Sequence, residues 1–201
     1  ELEPENAMVF DAEFQAAPIP APPIRDIPVT ARVLFDGKDL SMWRHWDLSD
    51  QPAAMLPDAR AVSPSPDFGG PRWKIIDQAI EARPGYGSLL TKESFGNYKL
   101  HLDFLIPDEP DYVPGQYKGS GGIFLDGRYE IKILDSHGKK PTKTSNGSIF
   151  NQSAPSRNAS KPPNTWQSLA IEYRQQERQR PTVKVHLNGT LIHDNVTILS
   201  R

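Results

Sequence analysis

The chain contains no cysteine in its 201 residues, which excludes disulfides, thiolate metal sites and a cysteine nucleophile. It has no apolar run approaching the roughly 18 residues that a membrane-spanning helix needs, so no membrane span is expected. It has no marked excess of charge, since 23 Lys+Arg face 25 Asp+Glu for a formal net charge of −2. Such a surface has no broad attraction for phosphate backbones, and nucleic acid is not an expected partner. Helical periodicity is scarce as well, because almost no stretch repeats apolar side chains at i, i+3 and i+4 over ten residues. There is no Walker loop, no dinucleotide-binding glycine pattern and no G-x-S-x-G. The histidines at 45, 101, 137, 186 and 193 show no H-x-H or H-E-x-x-H spacing, so no transition-metal site is expected. No cofactor is expected either. A divalent cation such as calcium stays open, although Asp108, Glu109 and Asp111 lack the calcium-loop spacing.

Proline, by contrast, is abundant. There are 20 in the chain, about twice average usage; six of them (Pro4, Pro18, Pro20, Pro22, Pro23 and Pro28) fall in the first 30 residues. Each removes a backbone donor and clashes with a preceding helical turn, so residues 16–28 read as an extended polyproline-like stretch. Residues 1–31 are therefore expected to be an arm or linker. Its role is left between a tether to an anchor and a segment docked on a neighbouring surface, with the oligomeric state unassigned. A folded domain is expected over 32–201.

That domain reads as short strands. Residues 98–106 alternate strictly, placing Tyr98, Leu100, Leu102, Phe104 and Ile106 on one side and Lys99, His101, Asp103 and Leu105 on the other. Residues 183–187 repeat the pattern and run into Asn188-Gly189, a hairpin signal because both turn residues need positive φ. Asp126-Gly127 predicts a second hairpin joining 121–125 to 128–134. Weaker strands are predicted at 33–35, 73–76, 79–82, 88–91, 148–150 and 166–174, with a short helical turn over 36–43. Many short strands with Gly, Pro and Asn turns predict an all-β fold, an antiparallel β-sandwich or jelly roll. Residues 44–72, 107–120 and 136–164 are the long loops.

The segment 129–135 carries the most chemistry. Glu130 and Lys132 share the polar side of their strand, and a bulge after Lys132 would turn Asp135 to the same side. Two carboxylates and an ammonium on one concave surface could serve acid–base chemistry; a plain surface ion pair between Glu130 and Lys132 is the simpler reading. Trp43, Trp46, Trp73 and Trp166 could stack on sugar rings or pack in the core.

The order of motifs at 34–43, 73–82, 87–104, 119–136, 147–150, 154–173 and 183–196 resembles the 3-keto-disaccharide hydrolase domain family, over roughly residues 32–198. The resemblance implies a concanavalin A-like jelly roll, export to the periplasm, cell surface or medium, and a carbohydrate partner. It also implies cleavage of glycosides whose glucose ring carries a ketone at C3. The family's R-Y-E-x-Q-x-L-D strand matches Arg128, Tyr129, Glu130, Lys132, Leu134 and Asp135, with Lys132 in place of the usual glutamine. Ser120 stands where an asparagine is usual, while Asn158 and Trp166 match two further motifs. The family's closing segment would follow Arg201 and is expected to be missing from this chain.

A C3 ketone acidifies the C2 proton, so the implied route is proton abstraction, elimination of the aglycone and rehydration, unlike two-carboxylate glycoside hydrolysis. The expected roles are Glu130 as base, Lys132 or Arg128 stabilising the enolate, and Asp135 or His137 as acid or as sugar ligands. His101, Asp103, Ser120, Asn158 and Trp166 complete the expected substrate contacts. Two alternatives use the same sandwich: a non-catalytic carbohydrate-binding module, and a structural or adhesion domain without a sugar site.

Overall fold

The computed structural model describes residues 20–23, 29–46, 73–82 and 87–199. Most of the proline-rich arm and most of the loop expected at 44–72 lie outside these residues. The described part holds strands and turns and no helix. In chain order the strands are β1 (Trp43–His45), β2 (Lys74–Ile76), β3 (Ala79–Glu81), β4 (Leu89–Thr91) and β5 (Tyr98–Phe104). They continue with β6 (Gly121–Leu125), β7 (Tyr129–Ile133), β8 (Gln167–Arg174), β9 (Thr182–Leu187) and β10 (Thr190–Thr197).

All pairings are antiparallel. One sheet has four strands in the order β10-β9-β8-β5, and β1-β4, β2-β3 and β6-β7 form two-stranded ladders. Both predicted hairpins form with the expected backbone: φ is 51° and 76° at Asn188 and Gly189, and 52° and 62° at Asp126 and Gly127. Three local expectations fail. Residues 33–35 form no strand and 36–43 no helix, because the chain turns into β1 instead. Residues 148–150 contribute only isolated bridges, from Ile149 to Ile131 and to Ser153.

The core follows from the alternation. In the four-stranded sheet, Phe104, Leu169, Ile171, Tyr173, Val183, Val185 and Leu187 turn inward and are buried. They share one apolar cluster with Leu125, Tyr129, Ile131 and Ile149, with Ile123 and Ile133 packed against it. Each such aliphatic side chain contributes roughly 1.5–3 kcal/mol when fully buried. Tyr98 and Tyr173 pair across β5 and β8 with ring centroids 5.3 Å apart. Burial pushes the Tyr173 phenol up to about 12 and raises that of Tyr98, so both stay protonated.

A buried polar knot braces the end where β8 starts. Gln167 is 2% exposed, and its Oε1 accepts from the Lys161 backbone N–H at 3.0 Å and the Asn188 amide at 3.2 Å. Asn188 Nδ2 also donates to the Ala159 carbonyl at 2.7 Å. These bonds satisfy groups that would otherwise be costly to bury.

Candidate functional site

Because β6 and β7 turn Ile123, Leu125, Tyr129, Ile131 and Ile133 to the core, the pleat turns Gly122, Phe124, Glu130 and Lys132 to the opposite face. Residues 147–150 line the other edge of β7. The Lys132 N–H donates to the Ser148 carbonyl at 3.0 Å, the Phe150 N–H to the Glu130 carbonyl at 2.9 Å, and the Gly147 N–H to the Lys132 carbonyl at 2.7 Å. Two cross-strand rows result, Gly122–Lys132–Ser148 and Phe124–Glu130–Phe150. Trp46, just past β1, approaches this face with its ring centroid 6.0 Å from that of Phe124.

Within this frame Lys132 Nζ donates to Ser120 Oγ at 2.9 Å and to Glu130 Oε1 at 3.3 Å, and lies 5.2 Å from the centre of the Phe150 ring. The side chains of Lys132 and Glu130 are only 11% and 15% exposed. At that separation and an effective dielectric constant of about 20, the gross attraction is about 5 kcal/mol, much of it offset by desolvation. The second Glu130 oxygen, Oε2, has no hydrogen-bond partner among the described residues. A carboxylate anchored through one oxygen with the other open can take a proton, and a fixed ammonium can stabilise developing negative charge. Gly122 makes the space, since a Cβ there would stand 2.4 Å from Glu130 Oε1. On the facing segment, Ser148 is fully buried and its hydroxyl has no hydrogen-bond partner among the described residues.

The other expected residues fall elsewhere. The bulge predicted after Lys132 does not form, because the β6–β7 register runs unbroken to Ile133 and the strand then ends. Beyond it the alternation slips, burying Leu134 and Ser136 and leaving Asp135 half-buried. Asp135 Oδ1 accepts the His137 backbone N–H at 3.3 Å, and Asp135 shares no hydrogen bond or ion pair with Glu130 or Lys132. The His137 ring meets the Ser160 carbonyl through Nδ1 at 3.0 Å. Asn158 clamps loops, its amide donating to the carbonyls of Ser136 at 2.5 Å and Lys139 at 2.7 Å. Arg128 pairs with Asp126 at 3.8 Å on the exposed hairpin turn. The Trp166 indole N–H donates to the Pro20 carbonyl at 2.6 Å.

His101 and Asp103 do not join Glu130. They lie 3.8 Å apart on the outward side of β5, in the four-stranded sheet, whereas Glu130 and Lys132 belong to the separate β6–β7 ladder. Residue 103 faces Ser168 and residue 101 faces Ala170 across the ladder. Among the described residues, no three His, Asp or Glu side chains converge in a way that could hold a metal ion. A depression of about 440 Å³ near β10 is lined by Ser153, Arg157, His193 and Asp194 among others, and includes none of the Glu130 cluster. Its acid and imidazole are engaged: Asp194 pairs with Lys184 at 3.0 Å, and His193 Nε2 bonds the Gly147 carbonyl at 2.9 Å.

Trp46, Phe124, Phe150 and Ser148 are the parts of this face that the spacing within β7 misses, because they come from three other segments: the residue after β1, strand β6 and residues 147–150.

Comparison with known proteins identifies the family. Residues 30–200 match the 3-keto-alpha-glucoside-1,2-lyase-like domain. A crystal structure of a candidate glycosyl hydrolase from Parabacteroides distasonis ATCC 8503 is similar over 93% of this chain and 78% of its own, with 28% identity and a TM-score of 0.69. A second structure of a candidate glycosyl hydrolase from that organism covers 81% of this chain and 70% of its own, at 16% identity and a TM-score of 0.49, and is too distant to add weight. No curated protein matches the chain.

Proposed function

Since the chain belongs to the 3-keto-alpha-glucoside-1,2-lyase-like domain family, we propose that it is a glycoside-cleaving enzyme acting on 3-keto-glycosides. The observation that carries this reading is the pairing of Glu130 with Lys132 at 3.3 Å, braced by Ser120 and walled by Phe124 and Phe150. A carboxylate with one open oxygen beside an ammonium suits removal of a proton next to a ketone.

In the proposed sequence Glu130 takes the C2 proton of the sugar. The C2–H electron pair moves into the C2–C3 bond, and the C3 oxygen carries the charge beside Lys132. The enolate then collapses, forming the C1–C2 double bond and breaking the bond from C1 to the aglycone oxygen. That oxygen takes a proton from solvent. Water adds at C1 and gives its second proton back to solvent, and C2 regains a proton from Glu130, which returns to its starting state. The family's 1,2-lyase description names the same C1–C2 elimination. The same reading takes the fold as a concanavalin A-like jelly roll, the substrate as a disaccharide, and the protein as exported.

The test is Glu130→Gln against a 3-keto-disaccharide, with release of the second sugar measured. Loss of the base is expected to lower turnover by about 10²–10⁴-fold, with the protein still folded and its stability lowered by no more than about 1–3 kcal/mol as Lys132 loses its charged partner. Wild-type turnover in the variant would refute the assignment. Binding of the 3-keto-sugar by the wild type without any product would instead identify a carbohydrate-binding module.

A further inference from the structure

The described part of the proline-rich arm is not free of the domain. The carbonyl of Pro20 accepts the indole N–H of Trp166 at 2.6 Å, across 146 residues of sequence. Pro20, Ala21 and Pro23 are exposed while Pro22 is half-buried, so one side of this short stretch faces the protein. Trp166 is firmly held: its carbonyl accepts from Lys161 Nζ at 3.0 Å, and the next residue is Gln167 of the buried polar knot.

The chemistry of this contact is that of polyproline recognition. Prolines lack an N–H, so an extended run of them leaves its carbonyls unpaired and outward-pointing, while its fixed φ has already removed most of the entropy of ordering. A tryptophan offers an apolar face and one donor, which fits such a ligand.

We propose that Trp166 anchors a docking site for a polyproline II segment, and that its occupant is residues 20–23 of this same chain. Residues 20–23 are then strapped to the domain rather than free of it. Trp166 is its anchor and has no indole donor left for a sugar. This inference does not depend on the proposed reaction.

Limited trypsinolysis of the full chain tests it. Arg25 lies between the docked residues and the domain, and cleavage after it tracks the fraction of molecules with the strap released. Trp166→Phe, which keeps a ring and removes the donor, is expected to speed this cleavage about tenfold, equivalent to 1.4 kcal/mol. Replacing Pro20, Pro22 and Pro23 together by glycine leaves the domain's own sequence untouched and should speed it at least as much. Combining both changes should add nothing further. Equal cleavage rates in the wild type and both variants would overturn the docking. Protection that grows with protein concentration would overturn the choice of occupant, because a second copy would then be supplying the segment.

Discussion

Replacing Gly122 by alanine should separate catalysis from stability. A Cβ at that position would lie 2.4 Å from Glu130 Oε1, 2.5 Å from its Cγ and 2.8 Å from its Cδ, all atoms of one flexible side chain. The backbone of Gly122 is ordinary strand, so alanine brings no conformational strain and reduces the freedom of the unfolded chain by about 0.4–1 kcal/mol in favour of folding. Against this, Glu130 must swing out and its contact with Lys132 at 3.3 Å is lost. For a partly buried pair that loss is about 1–3 kcal/mol, below the cost of stranding a fully buried charge. The net change in stability should stay within about 2 kcal/mol. Turnover of a 3-keto-disaccharide should fall by about 10²–10⁴-fold, since the base is displaced from its position. Gly121 is the control, because a Cβ there meets nothing within 4 Å; Gly121→Ala should match the wild type in both denaturant unfolding and turnover. Wild-type turnover in Gly122→Ala would refute the role given to Glu130. Destabilisation beyond about 4 kcal/mol would show that the methyl group presses on something less yielding than one side chain.

Two further outcomes are open to measurement. Ser148→Ala removes a fully buried hydroxyl that has no partner among the described residues, so the unfolding free energy from urea titration should hold or rise by up to about 1 kcal/mol, and a loss larger than that would show the hydroxyl to be bonded in solution. Burial holds the His193 imidazole below its ordinary value of 6.5, partly offset by its bond to the Gly147 carbonyl. The unfolded chain therefore binds more protons as the pH falls below about 6.5, and the stability present above that value declines through the window beneath it. Urea midpoints at pH 7.5 and pH 5 should differ in the wild type and converge in His193→Gln; an equally steep decline in that variant would place the cause elsewhere.

The strands legible in the sequence are those whose side chains alternate strictly. β5 and β9 carry apolar residues at every second position, and their faces in the structure follow that pattern. The hairpins at 126–127 and 188–189 are equally legible, because few residue pairs tolerate positive φ twice in succession. β1 is not legible, since the three residues Trp43, Arg44 and His45, although they alternate in burial, are too few to set a period in the sequence. The expected strand at 33–35 fails for a related reason: the Leu34 carbonyl is taken by the Trp43 indole N–H at 2.7 Å, a side chain from nine residues away. The pairing of Glu130 with Lys132 follows from their i, i+2 spacing. Ser120, Phe124, Phe150 and Trp46 come from other segments, and only folding brings them to the same face. Alternation also cannot say which side of the molecule a polar face occupies. Asp103 and Glu130 both point away from the core, but from separate ladders.

The closeness of Lys132 to Glu130 governs how a ligand would arrive. Two opposite unit charges 3.3 Å apart present a small dipole to bulk water, whose field falls off faster than that of a single charge. At physiological ionic strength it is further damped over about 8 Å. The chain's net charge of −2 adds little at long range. Encounter at this face is thus set by diffusion and fit, with no electrostatic funnel, and a neutral sugar meets it on the same terms as a charged one.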